Sequence, residues 1–288
     1  MGASQGESMK ILVTGSDGQL GLALQRQNSN HELVCCDRSK LDIANKEEVN
    51  RIVTAERPNS IINCAAFTNV DGCESDQEKA MLINGQSVGF LREAAAGVDA
   101  KLIQISTDYV FDGSKEAPYL ETDEPNPVSI YGQSKLLGEQ LAGKDALIVR
   151  TSWVMSHDGK NMLKTILNLL EGENDLFFVS DQIGCPTFTD DLASGIFSLI
   201  EKDLSGVFHV TNDGAVSWYQ FAVEVAELSG ANPDRVLPIT TSELTPPRPA
   251  RRPANSVLAN QGIIDSGLSP LPHHLVSLER LLKKMNSQ

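Results

Sequence analysis

Tyr131-Gly132-Gln133-Ser134-Lys135 sets a phenol and an amine four residues apart. On a helix, positions i and i+4 share a face. A free phenol keeps its proton up to a pH of about 10 and shuttles it poorly at neutrality. An ammonium beside it favours the phenolate, so Lys135 is expected to lower that value for Tyr131. Such a pair suits delivery of a proton to a carbonyl oxygen while a nicotinamide delivers hydride to the carbon. The same lysine can hydrogen-bond a cofactor ribose. The string alone is common on surface helices and gains meaning only beside a dinucleotide-binding fold. A third member is expected from the end of a sheet strand, where open α/β sheets place their ligands. Lys101–Ser106 reads as such a strand and runs into Thr107-Asp108-Tyr109. Thr107 carries one hydroxyl that can donate or accept, and is the candidate for orienting the carbonyl and tuning Tyr131. Asp108 could cap the turn that follows.

The required cofactor site has its own signature. Lys10–Thr14 reads as a strand that enters Gly15-Ser16-Asp17-Gly18-Gln19-Leu20-Gly21, and a helical run follows. Gly15 would make the tight turn, Gly18 would admit a pyrophosphate to the backbone, and Gly21 would let the helix pack on the sheet. The helix N-terminus would then present unpaired N–H groups to the phosphates. Three spaced glycines are weak evidence alone, but a strand before and a helix after are the required context. Asp37 closes the next strand, where a carboxylate can accept from a ribose 2′-hydroxyl. It favours NAD, whereas Arg38 beside it could hold the 2′-phosphate of NADP. The two neighbours argue opposite ways, so NADH and NADPH both stay open.

Positioning these groups takes a sheet. Five near-continuous apolar runs occur in the first half: Lys10–Thr14, Glu32–Cys36, Ser60–Ala65, Lys101–Ser106 and Ala146–Thr151. Runs of that kind are buried on both faces, as in a parallel sheet. The helical segments between them imply right-handed crossovers. In the second half, Asn161–Leu170 places Leu163, Ile166, Leu167 and Leu170 on one helical face. Leu176–Val179 and Val207–Val210 read as strands. Asp190–Ile200 reads as a helix capped by Thr189, and Trp218–Leu228 as one opening after Ser217. Residues 238–253 carry five prolines and read as a loop. The fold class is α/β, a doubly wound parallel sheet with a smaller C-terminal substrate lobe. Residues 9–152 form the dinucleotide-binding core, completed by segments around 189–212. Residues 153–288 form mainly the lobe, with returns to the core, and residues 1–8 are an extension or tag.

Composition narrows the partners. Apolar residues make up 41% and charged residues 22%, enough to pack a core. Lysine and arginine number 24 against 38 acids, a formal charge of −14, opposite in sign to what phosphate-backbone binding requires. Nucleic acid and membrane are therefore not expected as partners. A small anionic ligand would need a local cluster of bases, and Arg248, Arg251 and Arg252 provide one. The apolar runs fall far short of the roughly 18 residues that span a bilayer, and MGASQGES carries no secretory signal. Five cysteines, an odd number without a C-x-x-C pair, fit reduced thiols and a cytoplasmic setting.

With these residues in view, the chain resembles the extended short-chain dehydrogenase/reductases of the Rossmann type, and within them the dTDP-4-dehydrorhamnose reductase family. The similarity spans nearly all of residues 9–285. It is carried by Thr14–Gly21 (TGSDGQLG), Leu41–Asn45 (LDIAN), Asn63–Asp71 (NCAAFTNVD), Ser106–Gly113 (STDYVFDG), Tyr131–Lys135, Arg150–Val154 (RTSWV), Asp181–Thr187 (DQIGCPT) and Arg252–Leu258 (RPANSVL). The resemblance implies an NAD(P)H-dependent oxidoreductase that reduces the C4 ketone of dTDP-4-dehydro-L-rhamnose, a step in polysaccharide biosynthesis. Tyr131 would protonate the developing alkoxide, with Lys135 tuning it and Thr107 assisting. Gly18, Gln19 and Leu20 would hold the pyrophosphate. Asp37, Asp42 and Ile43 would lie around the adenosine half, and Ala65, Ala66, Phe67 and Thr68 would line the cofactor site. Asp108 and Trp153 would touch the sugar. Arg252, on charge grounds, is a candidate for the nucleotide diphosphate. Two departures lie near the substrate: Met155-Ser156 replaces the family's Tyr-Gly, and Phe67 stands where Tyr or His is common. Some relatives bind Mg2+ between subunits, and Asp190 and Asp191 stand near the matching place, but no required metal is expected. A monomer or a homodimer is expected.

Other readings share the fold. Sugar-nucleotide 4,6-dehydratases need a Thr-Asp-Glu triplet, and Tyr109 occupies its third position here. A non-catalytic NADP-binding subunit, like the β subunit of methionine adenosyltransferase, need not keep Thr107, Tyr131 and Lys135 together. A reductase of another nucleotide sugar is the remaining alternative.

Overall fold

The computed structural model describes residues 8–28 and 30–286. The expected extension over residues 1–8 lies, apart from Ser8, outside the described residues. The first half alternates strands and helices: β1 (Lys10–Thr14), α1 (Gln19–Gln27), β2 (Glu32–Cys36), α2 (Lys46–Glu56), β3 (Ser60–Asn63), α3 (Val70–Ser75) and α4 (Gln77–Ala80). A π-helical turn (Met81–Gln86) joins α4 to α5 (Ser87–Ala96). Then follow β4 (Lys101–Thr107), a 3-10 turn (Asp108–Val110), α6 (Ile130–Ala142) and β5 (Leu147–Thr151).

The second half supplies β6 (Val154–Met155), α7 (Met162–Leu170), β7 (Leu176–Val179), β8 (Ile183–Gly184), β9 (Thr187–Phe188), α8 (Thr189–Glu201) and β10 (Gly206–His209). After these come β11 (Val216–Ser217), α9 (Trp218–Ser229), β12 (Val236–Ile239), α10 (Gln261–Asp265) and α11 (His274–Asn286). Among the described residues no helix is long and apolar enough to cross a membrane.

Six strands make one parallel sheet in the order β2-β1-β3-β4-β5-β10. The alternation within β1 shows why both faces must be covered. Ile11 and Val13 join Leu24 of α1 and Leu192, Ile196 and Leu199 of α8 in one core. Leu12 faces the other way, with Val49 and Val53 of α2 and Val88 and Leu91 of α5. Consecutive side chains on a strand point to opposite faces, so helices cover both faces and the expected doubly wound arrangement is the one found.

The strand order reverses beside β1. The chain leaves β1 toward β2 on one side and returns to β3 on the other, which opens a crevice at the carboxyl ends of β1 and β3. Here β3 ends at Asn63, two residues before the expected Ala65, because the chain leaves the ladder there and Cys64, Ala65, Ala66 and Thr68 line that crevice. Across the sheet edge, Asn63 accepts from Thr14 Oγ1 at 2.6 Å and donates to Gln104 Oε1 at 2.7 Å.

The lobe has a separate core. Leu163, Ile166 and Leu170 of α7 meet Phe221 and Val225 of α9 and Leu278 and Leu282 of α11, with Leu167 partly buried beside them. Asn161 caps α7 by accepting from the Lys164 N–H at 3.1 Å. Ser217 and Gln220 form a reciprocal capping box at the start of α9. The expected cap at Thr189 is not found: Phe188 holds that position and Thr189 is the first helical residue. Phe188 is pinned there because its N–H donates to Asn212 Oδ1 at 2.8 Å while it pairs with Met155. The expected loop over 238–253 begins with the last two residues of β12 and a 3-10 turn at Thr241–Glu243 before it becomes irregular.

Sequence order and layers do not coincide. After β6 and α7 have entered the lobe, α8 packs back on α1 and β10 completes the core sheet; α10 later adds Ile263 to that same core. Arg26 of α1 bridges the two parts, pairing with Asp158 at 2.6 Å and Asp190 at 2.9 Å.

Candidate active site

The crevice at the switch point is a cleft of about 730 Å³ lined from both the core and the lobe. Its floor at one end is the glycine turn. Gly15 has φ +59°, and a Cβ there would lie 2.8 Å from the backbone of Ala65. A Cβ on Gly21 would lie 2.6 Å from the Cα of Ser16. Both positions demand glycine, one for the turn and one for close helix packing. Gly18 caps α1 without a side chain, and the first turn of α1 holds no acid. That leaves backbone N–H groups and the positive end of the helix dipole facing the cleft, a fit for a pyrophosphate.

Farther along the cleft stand Tyr131, Lys135 and Thr107. Ser129 caps α6 by accepting from the Gly132 N–H, which fixes the helix start and puts Tyr131 and Lys135 on one face. Gly132 lets this turn approach closely, since a Cβ would meet Tyr109 O at 2.1 Å. Lys135 is 4% exposed, and its Nζ donates to Ile105 O at 2.6 Å. Burial pulls its pKa down to about 8, against the Glu139 carboxylate, which raises it. Behind it lies a buried network: Arg150 donates to both Glu139 oxygens at 2.9 and 2.7 Å, and Ser106 Oγ donates to Glu139 as well.

Tyr131 corrects one expectation. Its pKa is raised above the usual phenol value, chiefly by burial and then by the neighbouring Asp108. The Thr107 hydroxyl acts the other way. In this structure the ammonium of Lys135 is committed to the Ile105 carbonyl rather than to the phenol, so desolvation wins. Tyr109 packs edge-on against Tyr131, ring centroids 5.6 Å apart.

Thr107 itself caps the 3-10 turn by accepting from the Tyr109 N–H at 3.2 Å, so the cap is Thr107 and not Asp108. Its hydroxyl donates to Asp108 Oδ1 at 2.9 Å. Asp108 is 1% exposed, and its Oδ2 has no hydrogen-bond partner. Burial raises its pKa to about 6, opposed by the hydroxyls of Ser256 and Thr107.

The lobe provides the opposite wall. Trp153 has φ +44°, a conformation costly for a bulky residue, and its indole stacks on that of Trp218 at 3.6 Å and 6°. Gly184 makes room for this: a Cβ there would lie 2.6 Å from Trp153 Cε2. The loop before α7 reaches the glycine turn, where Asn161 Nδ2 donates to Gln19 Oε1 at 2.8 Å.

Of the residues singled out in the sequence, Gly15, Gly18, Gln19, Leu20, Gly21, Arg38, Asp42, Ile43, Ala65, Ala66, Thr68, Thr107, Asp108, Tyr131, Lys135 and Trp153 all line the cleft. Three do not. Asp37 folds back on its own turn, its Oδ1 accepting from the Ser39 N–H, Ser39 Oγ and the Lys40 N–H. Phe67 lies against the Lys79 ammonium, 4.7 Å from its ring centroid. Arg252 is clamped by Asp71 through two bonds of 3.0 and 2.9 Å, and Arg248 stands 3.6 Å from the same carboxylate. Asp190 and Asp191, which stand near the place where some relatives hold a metal, are also paired, Asp190 with Arg26 and Lys284 and Asp191 with Arg280. Sequence reasoning missed Trp218, Tyr109, Cys64 and Lys160 as lining residues. Trp218 carried a usable signal, being one of two tryptophans and directly following a cap.

Comparison with known proteins comes down on one group. The model of the RmlD substrate binding domain matches residues 9–287. The spore coat polysaccharide biosynthesis protein SpsK of Bacillus subtilis is 41% identical over 96% of this chain and 98% of its own. A crystal structure of a dTDP-4-dehydrorhamnose reductase from Clostridium acetobutylicum superposes with a TM-score of 0.92 at 42% identity, covering 96% of this chain and 100% of that one. The dTDP-4-dehydrorhamnose reductase of Bacillus anthracis, solved in complex with NADP, gives a TM-score of 0.92 at 36% identity, covering 96% and 99%.

Proposed function

Because the chain belongs to the RmlD substrate binding domain family, we propose that it is an NAD(P)H-dependent oxidoreductase that reduces the C4 ketone of dTDP-4-dehydro-L-rhamnose to dTDP-L-rhamnose. The observation that carries the reading is the meeting of Thr107, Tyr131 and Lys135 with the glycine turn in one cleft. The relatives named as reductases of that ketone support it. A purely regulatory NADP-binding subunit would have no use for the assembled trio.

A bound dinucleotide would supply hydride to the carbonyl carbon. The backbone N–H groups at the start of α1 would hold its pyrophosphate. Tyr131 would donate its proton to the oxygen as negative charge develops there, with the Thr107 hydroxyl orienting that oxygen. Lys135 would hold the cofactor ribose, and the stacked Trp153 and Trp218 would present a flat wall to the sugar.

On cofactor choice the reading favours NADPH being accepted at least as well as NADH. The carboxylate that would repel a 2′-phosphate, Asp37, is occupied by its own turn. Arg38 lines the cleft with its side chain 76% exposed, tied only loosely to Asp42 at 4.0 Å. Arg38→Ala is expected to raise KM for NADPH about tenfold, the size of one charge-assisted hydrogen bond, and to leave KM for NADH within about twofold.

The assay is nicotinamide oxidation with dTDP-4-dehydro-L-rhamnose generated in situ, with the product identified as dTDP-L-rhamnose. Cofactor binding without turnover on that ketone would remove the proposed substrate. Faster turnover on the ketone of another nucleotide sugar would redirect it.

A further inference from the structure

We propose that Lys160, carried by the lobe to the glycine turn, is the cation that holds the pyrophosphate of the bound dinucleotide, so that core and lobe grip the phosphates together. The proposal rests on the reductase reading in one respect only, that the glycine turn takes a dinucleotide. It adds to that reading a residue that the spacing of the turn does not reveal.

The core by itself is short of positive charge at this place. Thr14–Gly21 contains no lysine or arginine, and its one charged residue is Asp17. Backbone N–H groups and the end of the α1 dipole supply partial charges only. A pyrophosphate brings a full negative charge on each phosphate into a protein whose formal charge is already −14. Three cations, Arg38, Lys135 and Lys160, line the cleft among the described residues. Arg38 follows β2 and stands by Asp42, at the adenosine end. Lys135 is buried, with its ammonium on Ile105 O. Lys160 is exposed, and among the described residues its ammonium has neither a hydrogen bond nor an ion pair. Asp158, an acid two positions before it, is already paired with Arg26.

The lobe is built to bring Lys160 to the turn. Residues on both sides of it are tied to α1: Asp158 pairs with Arg26 at 2.6 Å, and Asn161 Nδ2 donates to Gln19 Oε1 at 2.8 Å. Gln19 Nε2 in turn reaches the Lys160 carbonyl at 3.5 Å. Asn161 Nδ2 also donates to Ser156 O at 2.7 Å, and the Asp158 N–H donates to Ser156 Oγ at 3.0 Å, which draws residues 156–161 into a closed loop. Gly159 has φ +62°, and a Cβ there would lie 3.3 Å from Gln19 Cγ, so the loop sits directly on the residue that opens α1. Gly159 and Lys160 line the same cleft as Gly15, Gly18 and Gln19. A lysine offers three donors from a compact charge, enough to meet oxygens of both phosphates.

A nucleotide sugar carries a pyrophosphate too, so the same chemistry has two sources. The bonds of this loop across the cleft go to Gln19 and Arg26 of α1, the helix whose start takes the dinucleotide, and this favours the dinucleotide.

The test reads binding, by fluorescence titration of NADH and NADPH without ketone. Lys160→Ala should raise Kd for both by about tenfold, the size of one charge-assisted hydrogen bond, because both carry the same pyrophosphate. Lys160→Arg, which keeps the charge, should stay within about threefold of wild type. Arg38→Ala, by contrast, should weaken NADPH alone. Competition titrations locate the loss. In Lys160→Ala, ADP-ribose, which has the pyrophosphate, should weaken with the dinucleotides, while 2′-AMP, which lacks it, should hold within about twofold. Added salt should weaken binding to the wild type more than to Lys160→Ala. Unchanged affinity for both dinucleotides in Lys160→Ala overturns the proposal. So does a loss confined to NADPH, which would assign Lys160 to the 2′-phosphate, and so does an equal loss for 2′-AMP, which would mean a general disturbance of the cleft. A raised KM for the nucleotide sugar with cofactor affinity intact would move Lys160 to the other pyrophosphate and overturns it as well. The titrations need no ketone, so failure of the proposed substrate leaves their result standing; a wild type that binds neither dinucleotide overturns this inference and the functional reading together.

Discussion

Lys135 and Tyr131 are a helical turn apart, but the environment of each is set by burial before it is set by the other. The phenol is made harder to ionise and the amine easier to neutralise, so the Tyr131 proton leaves only for a base as strong as a nascent alkoxide. Tyr131→Phe should therefore cut kcat by 10²- to 10⁴-fold, the usual worth of a positioned acid, with NADPH affinity by fluorescence titration unchanged. Lys135 carries a further consequence. Its folded pKa of about 8 lies below the ordinary lysine value of 10.5, so between those values the unfolded chain binds more protons. Stability contributed by this site thus rises as pH climbs from about 8 to about 10.5, and the full penalty is present at pH 7. Lys135→Met should melt at or above the wild-type temperature at pH 7 in calorimetry while losing turnover. A variant that melts several degrees lower would show that the bond to Ile105 outweighs the desolvation.

At the level of elements, what the chain spells locally is what could be read from it. β1 and β2 were legible to the residue because apolar runs end in a glycine turn and at Asp37. The cap at Ser217 was legible because a hydroxyl precedes a helical run. Thr189 offered the same signal and misled, since Asn212, 24 residues away, holds Phe188 in the cap position. The same division runs through the site. Gly15, Gly18, Gly21, Tyr131 and Lys135 are spaced by one turn or one helix, so spacing revealed them. Arg252 looked free for a phosphate because nothing nearby in sequence occupies it, yet Asp71 reaches it across 181 positions. The elements also say where Trp218 gets its aim: the capping box of α9. Ser217→Ala should cost about 1 kcal/mol, or about 2–4 °C in Tm for a chain of this size class. It should raise KM for the nucleotide sugar and leave NADPH affinity alone. An unchanged melting temperature would mean that β11 holds the start of α9 without the box.

Across the whole molecule, the core and the lobe each bury their own apolar cluster, and the cleft runs between them. A dinucleotide that touches both should stabilise both. At about 100 times its Kd, NADPH should contribute about 2.7 kcal/mol. Calorimetry should show one transition that shifts upward as a unit. Arg26→Ala removes the ion pairs from α1 to Asp158 and Asp190. It is expected to split or broaden that transition without cofactor and to let saturating NADPH restore a single one. A sharp single transition without cofactor would show that α8 packing on α1 suffices to couple the halves.

The path of the chain between those halves has a consequence for anyone who would exchange parts between relatives. β10 closes the core sheet after the lobe has begun, and α10 returns once more before α11 ends in the lobe. A chimaera with one crossover near residue 152 would therefore pair a five-strand sheet from one parent with the sixth strand and its covering helix from the other. Grafting a new sugar preference onto this scaffold calls for a patchwork with several junctions, and the fitness of any hybrid will be decided at the β5–β10 edge.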